Sequence, residues 1–373
     1  MKKPAKITTR TQSNSASLTR RQFAAGAALL AGGTALSGFP AILKSAQALK
    51  VGAYGGYFKD SFDKHIFPEF TKKTGIKVES VAEPTGEAWL VQLQTAARAG
   101  QAPADVSMMA QVANLKGITS KLWEPLDESK LPNVKNVLPR YIQRFEDGKL
   151  SGVGAVAWYI TLVSNTKVYP NAPTSWAEFW NPANKNRLGV LALASNSFLL
   201  EITAKTFLGG TDALNTKEGI EKALAKLSEI KPNVKLWYRD EGQFEQALKS
   251  GEIPMGMYYH DVAGLAAADG HPVRSTFPKE GGVADSGSWV ISKASKMVPQ
   301  GLEFINYMCQ PEIQALLSRK VGTAPIIPAK LSGLSKGEFD AVSSEIDPVV
   351  PRYDLYSKWG DWINQKWTEM VTG

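Results

Sequence analysis

Between Lys50 and Gln111 the chain alternates short apolar runs with amphipathic stretches, and this alternation restricts the possible folds more than any other feature. Residues 50–53 read as a strand, and residues 60–74 as a helix whose Phe62, Ile66 and Phe70 share one face at four-residue spacing. Gly75 can adopt the left-handed conformation that ends a helix. A second strand follows over 76–81. Trp89, Leu93 and Ala97 then line a second helix, Gly100 ends it, and the run PADVSMMAQ gives a third strand with a polar exit. Strand, helix, strand, helix, strand is the pattern of a mostly parallel sheet, because parallel neighbours need a crossover long enough to hold a helix.

Residues 1–48 read as an export leader. Lys2, Lys3, Lys6 and Arg10 make a basic start, and Arg20 and Arg21 with Phe23 form a twin-arginine signal. An apolar run over 24–39 follows, and Ala46, Gln47 and Ala48 supply a small-residue cleavage site. That run is broken by glycine and shorter than the ~20 residues that span a bilayer. The formal charge of +8 resides almost wholly here: the leader holds seven of the 43 Lys and Arg and none of the 35 Asp and Glu, which leaves 36 against 35. A nucleic-acid partner therefore has no electrostatic support. The remaining length exceeds what one core usually covers, so two lobes are expected. Cys309 is the sole cysteine, which excludes an intramolecular disulfide; its spacing from Leu302 and Ile305 predicts a buried apolar role.

Candidate binding residues fall where predicted strands end, the edge at which open α/β sheets hold ligands. After the first strand, GAYGGYF brings Tyr54 and Tyr57 beside glycines that let the backbone approach a solute. The long β-rich run over 151–165 suits a strand crossing between lobes, and Trp158 in it suits the floor of a cleft. The strand over 188–195 exits at Asn196 and Ser197, ahead of a helix N-terminus. The strand in VKLWYRD ends at Tyr238, Arg239 and Asp240. A buried strand over 253–257 ends in Tyr258, Tyr259, His260 and Asp261, and Asp285 is read in a glycine-flanked turn before another strand. Arg239 either faces the cleft, where its fork matches a carboxylate, or pairs with Asp240 at the surface. Asp261 suits both an ammonium contact and a helix N-cap. Residues 49–160 with 286–330 form one expected lobe, 161–285 the other, and 331–373 a Trp-rich helical segment packed outside them. Neither a nucleophile motif nor a cofactor loop is present, so no enzyme, cofactor or resident metal is expected.

Four ordered stretches, GGYFKDSFDKHIFPEFTKKTGIKV, PTSWAEFWNPANKNRLGV, GEIPMGMYYHDVAG and FPKEGGVADSGSWVISKAS, resemble the extracellular solute-binding proteins of ABC transporters, in the spermidine/putrescine-binding group. The likeness covers residues 49–370. It implies a two-lobed α/β periplasmic-binding-protein fold of type II, a small-molecule solute as ligand, a membrane permease as partner, a monomer, and a periplasmic location. Tyr258 and Asp261 fall where putrescine-binding relatives use an aromatic and an aspartate three residues later. Gly287 falls where polyamine binders carry a second acid, with Asp285 two residues earlier, and Asn196 and Ser197 replace an expected acidic pair. The implied solute is thus an amine-bearing one, either a polyamine or a zwitterion whose carboxylate meets Arg239. Two other classes stand beside this: ferric iron held by Tyr258 and Tyr259 with His260, and, more remotely, a periplasmic enzyme.

Overall fold

The computed structural model describes residues 47–84 and 87–373, so the expected leader lies outside them except for Gln47 and Ala48. Among these residues ten strands form the sheet: β1 (Leu49–Tyr54), β2 (Val78–Glu83), β3 (Val106–Ala110), β4 (Ile142–Arg144), β5 (Leu150–Asn165), β6 (Leu188–Leu191), β7 (Val234–Tyr238), β8 (Met255–Tyr259), β9 (Val273–Thr276) and β10 (Val283–Ile291). Their order is β2-β1-β3-β10-β5-β8-β6-β7, with β4 and β9 pairing with β5. At one end β1 runs parallel to β2 and β3, as the alternation predicts, and at the other β6 runs parallel to β7 and β8. Between these parallel sets lie β5 and β10, antiparallel to each other and to their outer neighbours β8 and β3.

Two main apolar cores lie on either side of this pair. One gathers Val51, Phe62, Phe70, Met108, Tyr159, Trp289 and Phe304. The other gathers Leu162, Trp176, Phe179, Leu188, Ile202, Leu224 and Met257, and the C-terminal helix Tyr353–Thr372 adds Leu355, Ile363 and Trp367 to it. Cys309 is fully buried, and burial pushes its thiol up to about 12.

Several elements differ from their sequence reading. The helix expected over 60–74 is two, Tyr57–His65 and Phe67–Thr74, because Pro68 lacks the N–H a continuing turn requires and its ring would strike the preceding turn. Pro311 likewise opens a new helix, Pro311–Val321, close behind Val298–Met308. Asp285 is inside β10 and not in a turn: it pairs with Trp158 of β5, since the β-favouring run continues through it despite the flanking glycines. β8 extends through Tyr259, so the tyrosine pair belongs to the strand and not to its exit.

Candidate functional site

A cleft of about 390 Å³ opens where the parallel strands end. Tyr54 closes β1, Glu83 closes β2, Ala110 closes β3 and Tyr259 closes β8, and all four line it. The helix after β8, His260–Ala268, brings Asp261 to the wall in its first turn. Trp158 from the crossing strand, with Phe58, Trp89, Met108 and Val262, completes a mostly apolar lining. Among the described lining residues there are two carboxylates and no Lys or Arg.

Tyr54 reaches the cleft through a Gly55-Gly56 turn, Gly56 taking φ +63°, and its ring meets Phe58 edge-on at 5.9 Å. Its hydroxyl is buried without a hydrogen-bond partner. A Cβ at Gly287 would lie 2.8 Å from that oxygen, so the glycine standing where polyamine binders carry an acid gives Tyr54 its room. Trp158 lies on the same sheet face as its cross-strand partner Asp285. Tyr159, one residue on, is buried in the first core, as strand alternation requires.

Glu83, a wall residue absent from the sequence reading, is 4% exposed and accepts a hydrogen bond from the Met108 backbone N–H at 3.0 Å. Burial raises its carboxyl to about 8 against that bond, so at neutral pH it is held mostly protonated. Gly52 is what admits it, since a Cβ there would lie 2.2 Å from Glu83 Oε1. The available signal was an acid ending a strand at the carboxyl edge of the sheet. Asp261 is also raised by burial, while backbone N–H groups of its helix turn lower it. Asp261 does not cap that helix; the N-cap is Tyr259.

The remaining expected residues lie outside this lining. Tyr57 begins a helix, is 62% exposed, and donates its hydroxyl to the Val321 carbonyl. Tyr258 is buried among Tyr238, Phe244 and Leu248 and donates to Glu245, whereas Tyr259, the residue beside it, faces the cleft and donates to Glu241. Of the β8 tyrosine pair it is thus Tyr259, and not Tyr258, that lines the cleft. Asn196 is exposed and accepts from Ser195, and Ser197 is buried with its hydroxyl on the Ala194 carbonyl. Arg239 is exposed at the exit of β7 and, among the described residues, makes no ion pair, while Asp240 caps the next helix through Gln243 N–H. Asp285 accepts from Tyr353 Oη at 2.9 Å and lines a second, smaller cavity with Arg140.

The iron constellation does not assemble. Burial raises the phenols of both Tyr258 and Tyr259, their hydroxyls are held by different glutamates, and His260 donates from Nε2 to the Asp340 carbonyl while Nδ1 accepts from Ser275. Among the described residues no group of three or more His, Cys, Asp and Glu is placed to hold a metal.

Parallel half-sheets joined through two antiparallel strands, with an aromatic cleft at the strand ends, define a periplasmic-binding-protein-like fold built to hold a small solute. The chain belongs to the bacterial extracellular solute-binding protein family, whose profile matches residues 65–333. It is 25% identical over 300 residues to the gamma-aminobutyric acid-binding protein of Pseudomonas aeruginosa, covering 78% of this chain and 80% of that one. It is 27% identical over 259 residues to the spermidine/putrescine-binding periplasmic protein of Salmonella typhimurium, covering 69% and 72%. An ABC transporter structure from Clostridium perfringens superposes with a TM-score of 0.72 at 21% identity, covering 87% of this chain and all of the other. The family and these neighbours are transport proteins that bind solutes. No helix among the described residues is long and apolar enough to cross a membrane.

Proposed function

We propose that this chain is the exported receptor of an ABC importer and that it captures a small amine-bearing solute in the cleft, delivering it to the membrane permease. One observation carries this reading: the described lining combines aromatic faces with the carboxylates of Asp261 and Glu83 and presents no cationic side chain. Such a wall suits an ammonium. Tyr54, Trp158 and Tyr259 offer negative ring faces to a cation, and Asp261 offers a charge-assisted hydrogen bond. Glu83, neutral when the cleft is empty, joins Asp261 as acceptor by releasing its proton when a cation arrives. The relatives named for gamma-aminobutyric acid and for spermidine and putrescine, all amines, agree with that chemistry.

Capture and delivery follow from a hinge at β5 and β10. Residues 49–160 with 286–330 form one lobe and 161–285 the other, each with its own core. A solute touching both Trp158 and Asp261 favours the closed arrangement, and the permease reads that arrangement on a monomeric receptor. The leader routes the folded protein to the periplasm by the twin-arginine path. Mass spectrometry of solute released by denaturing the purified protein tests the central point. An amine is expected, and a solute with no basic nitrogen would sink the reading.

A further inference from the structure

His260 is the first residue of the helix His260–Ala268, directly before Asp261, and it does not line the cleft. It is half-buried, and both ring nitrogens are engaged. Nε2 lies 3.1 Å from the Asp340 carbonyl and Nδ1 lies 2.8 Å from Ser275 Oγ. A carbonyl only accepts, so Nε2 carries the proton and Nδ1 accepts from the Ser275 hydroxyl. Burial lowers the imidazole below its ordinary value, in keeping with a neutral ring. Ser275, in β9, is in turn hydrogen-bonded to Thr161 Oγ1 of the crossing strand β5. The bonds thus run one way, from Thr161 through Ser275 and His260 to Asp340. The ring also packs on Phe277, with centroids 4.6 Å apart.

The far anchor of this chain of bonds is tied to the first core. Asp340 ends the short helix Lys336–Asp340, and Arg319 holds that helix through Glu338 at 2.7 and 3.2 Å and through the Gly333 carbonyl at 3.0 Å. Arg319 belongs to Pro311–Val321, whose Ile313, Leu317 and Val321 lie in the first core, whereas β8, which leads into His260, gives Met257 to the second. The helix that bears Asp261 has need of such an anchor. Its N-cap, Tyr259, makes no side-chain capping bond, so capping does not fix where the first turn points. The Asp261 carboxylate is stabilised by backbone N–H groups of that same turn and goes where the turn goes. We infer that His260 is a positioning residue for solute binding: it fixes the turn that carries Asp261 and registers that carboxylate against the first core, on which Tyr54 and Trp158 pack. The inference rests on the amine-solute reading, in which Asp261 meets the ammonium, and adds the residue that sets where the acid stands.

Calorimetry with 1,4-diaminobutane and with 4-aminobutanoate, two ammonium probes, tests the role. His260→Phe keeps the packing on Phe277 but neither hydrogen bond, and is expected to weaken both probes by about 10-fold. His260→Gln keeps a donor near Nε2 and is expected to stay within about threefold of wild type. The double variant His260→Phe with Asp261→Asn is expected to bind no worse than Asp261→Asn alone, because His260 acts through that carboxylate. In unliganded protein, amide exchange over residues 260–268 should quicken about 10-fold in His260→Phe and less than threefold in His260→Gln. Melting of each variant checks that it folds; should His260→Phe fail to, Ser275→Ala, which removes the inner anchor, is expected to weaken both probes by about threefold. Unchanged affinity, a glutamine variant as weak as the phenylalanine one, multiplied losses in the double variant, or unchanged exchange would each overturn the inference and leave the amine reading standing. Binding of neither probe by wild-type protein would remove both.

Discussion

The main cleft and the smaller chamber beside it are lined by adjoining residues of the same strands, and each carries two carboxylates, Glu83 and Asp261 in the cleft and Asp285 and Asp354 in the chamber. The acids of the cleft stand amid aromatic and apolar walls with no Lys or Arg in the described lining, whereas those of the chamber share it with Arg140. Their meeting line is the Trp158–Asp285 pair on the two crossing strands. One cross-strand pair therefore stands between a mostly apolar cleft and a more polar chamber. The comparison also shows that a carboxylate's position matters more than its presence. Asp285 is turned toward Tyr353 and the chamber, whereas Asp261 remains on the cleft wall.

The sharpest way to break this division is Asp261→Asn, expected to lower affinity for 1,4-diaminobutane by about 100-fold by calorimetry while the melting temperature holds. An unchanged affinity would show that the cleft does not read the ammonium through this residue. Next, Trp158→Ala is expected to weaken every amine probe by about 10- to 30-fold, the value of a partly desolvated cation–π contact. Unchanged affinity for every amine probe would remove the ring from the binding wall.

A third test uses pH. Glu83 is raised from an ordinary 4.5 to about 8, so between those values the folded protein holds a proton that the unfolded chain has lost, and stability falls as pH rises through that window. The slope from one such proton is at most about 1.4 kcal/mol per pH unit. Urea unfolding of Glu83→Gln from pH 5 to pH 8 is expected to show a flatter decline than wild type. A remnant slope should persist from Glu201 and Asp285, which burial raises to about 7 and about 6. Identical slopes would mean that Glu83 is ionised in the empty cleft. The smallest effect belongs to Tyr353→Phe, which removes the hydroxyl held by Asp285 and is expected to cost about 1 kcal/mol of stability. Diamine affinity should not change, and a loss there would join the chamber to the cleft as a single site.

Much of the first half-sheet was legible because its strands and helices announce themselves by period: Phe62, Ile66 and Phe70 share the buried face their spacing predicts. The site was legible only by region. Strand ends marked the edge of the sheet at which the cleft opens, and Tyr54, Trp158 and Asp261 lie on it. Tyr57 and Tyr258 do not, since the first sits at the outer start of a helix and the second is one strand position from the residue that does. A one-residue error in where β8 ends exchanges the two tyrosines, because alternate strand residues face opposite sides. Glu83 was missed for a related reason. A lone acid after a strand looks like surface charge until packing encloses it.

Taken alone, the sequence determined the α/β class, the family resemblance and the carboxyl edge as the place where a cleft should open, since these follow from period, chain order and motif. Tertiary structure alone decided which neighbours share a wall. The antiparallel register of β5 and β10 sets Trp158 against Asp285, and the absent side chain of Gly287 gives space to Tyr54. The enclosure around Glu83 turns an ordinary acid into one that keeps its proton at neutral pH. Register, free volume and desolvation are relations between residues distant in the chain, and no local pattern encodes them.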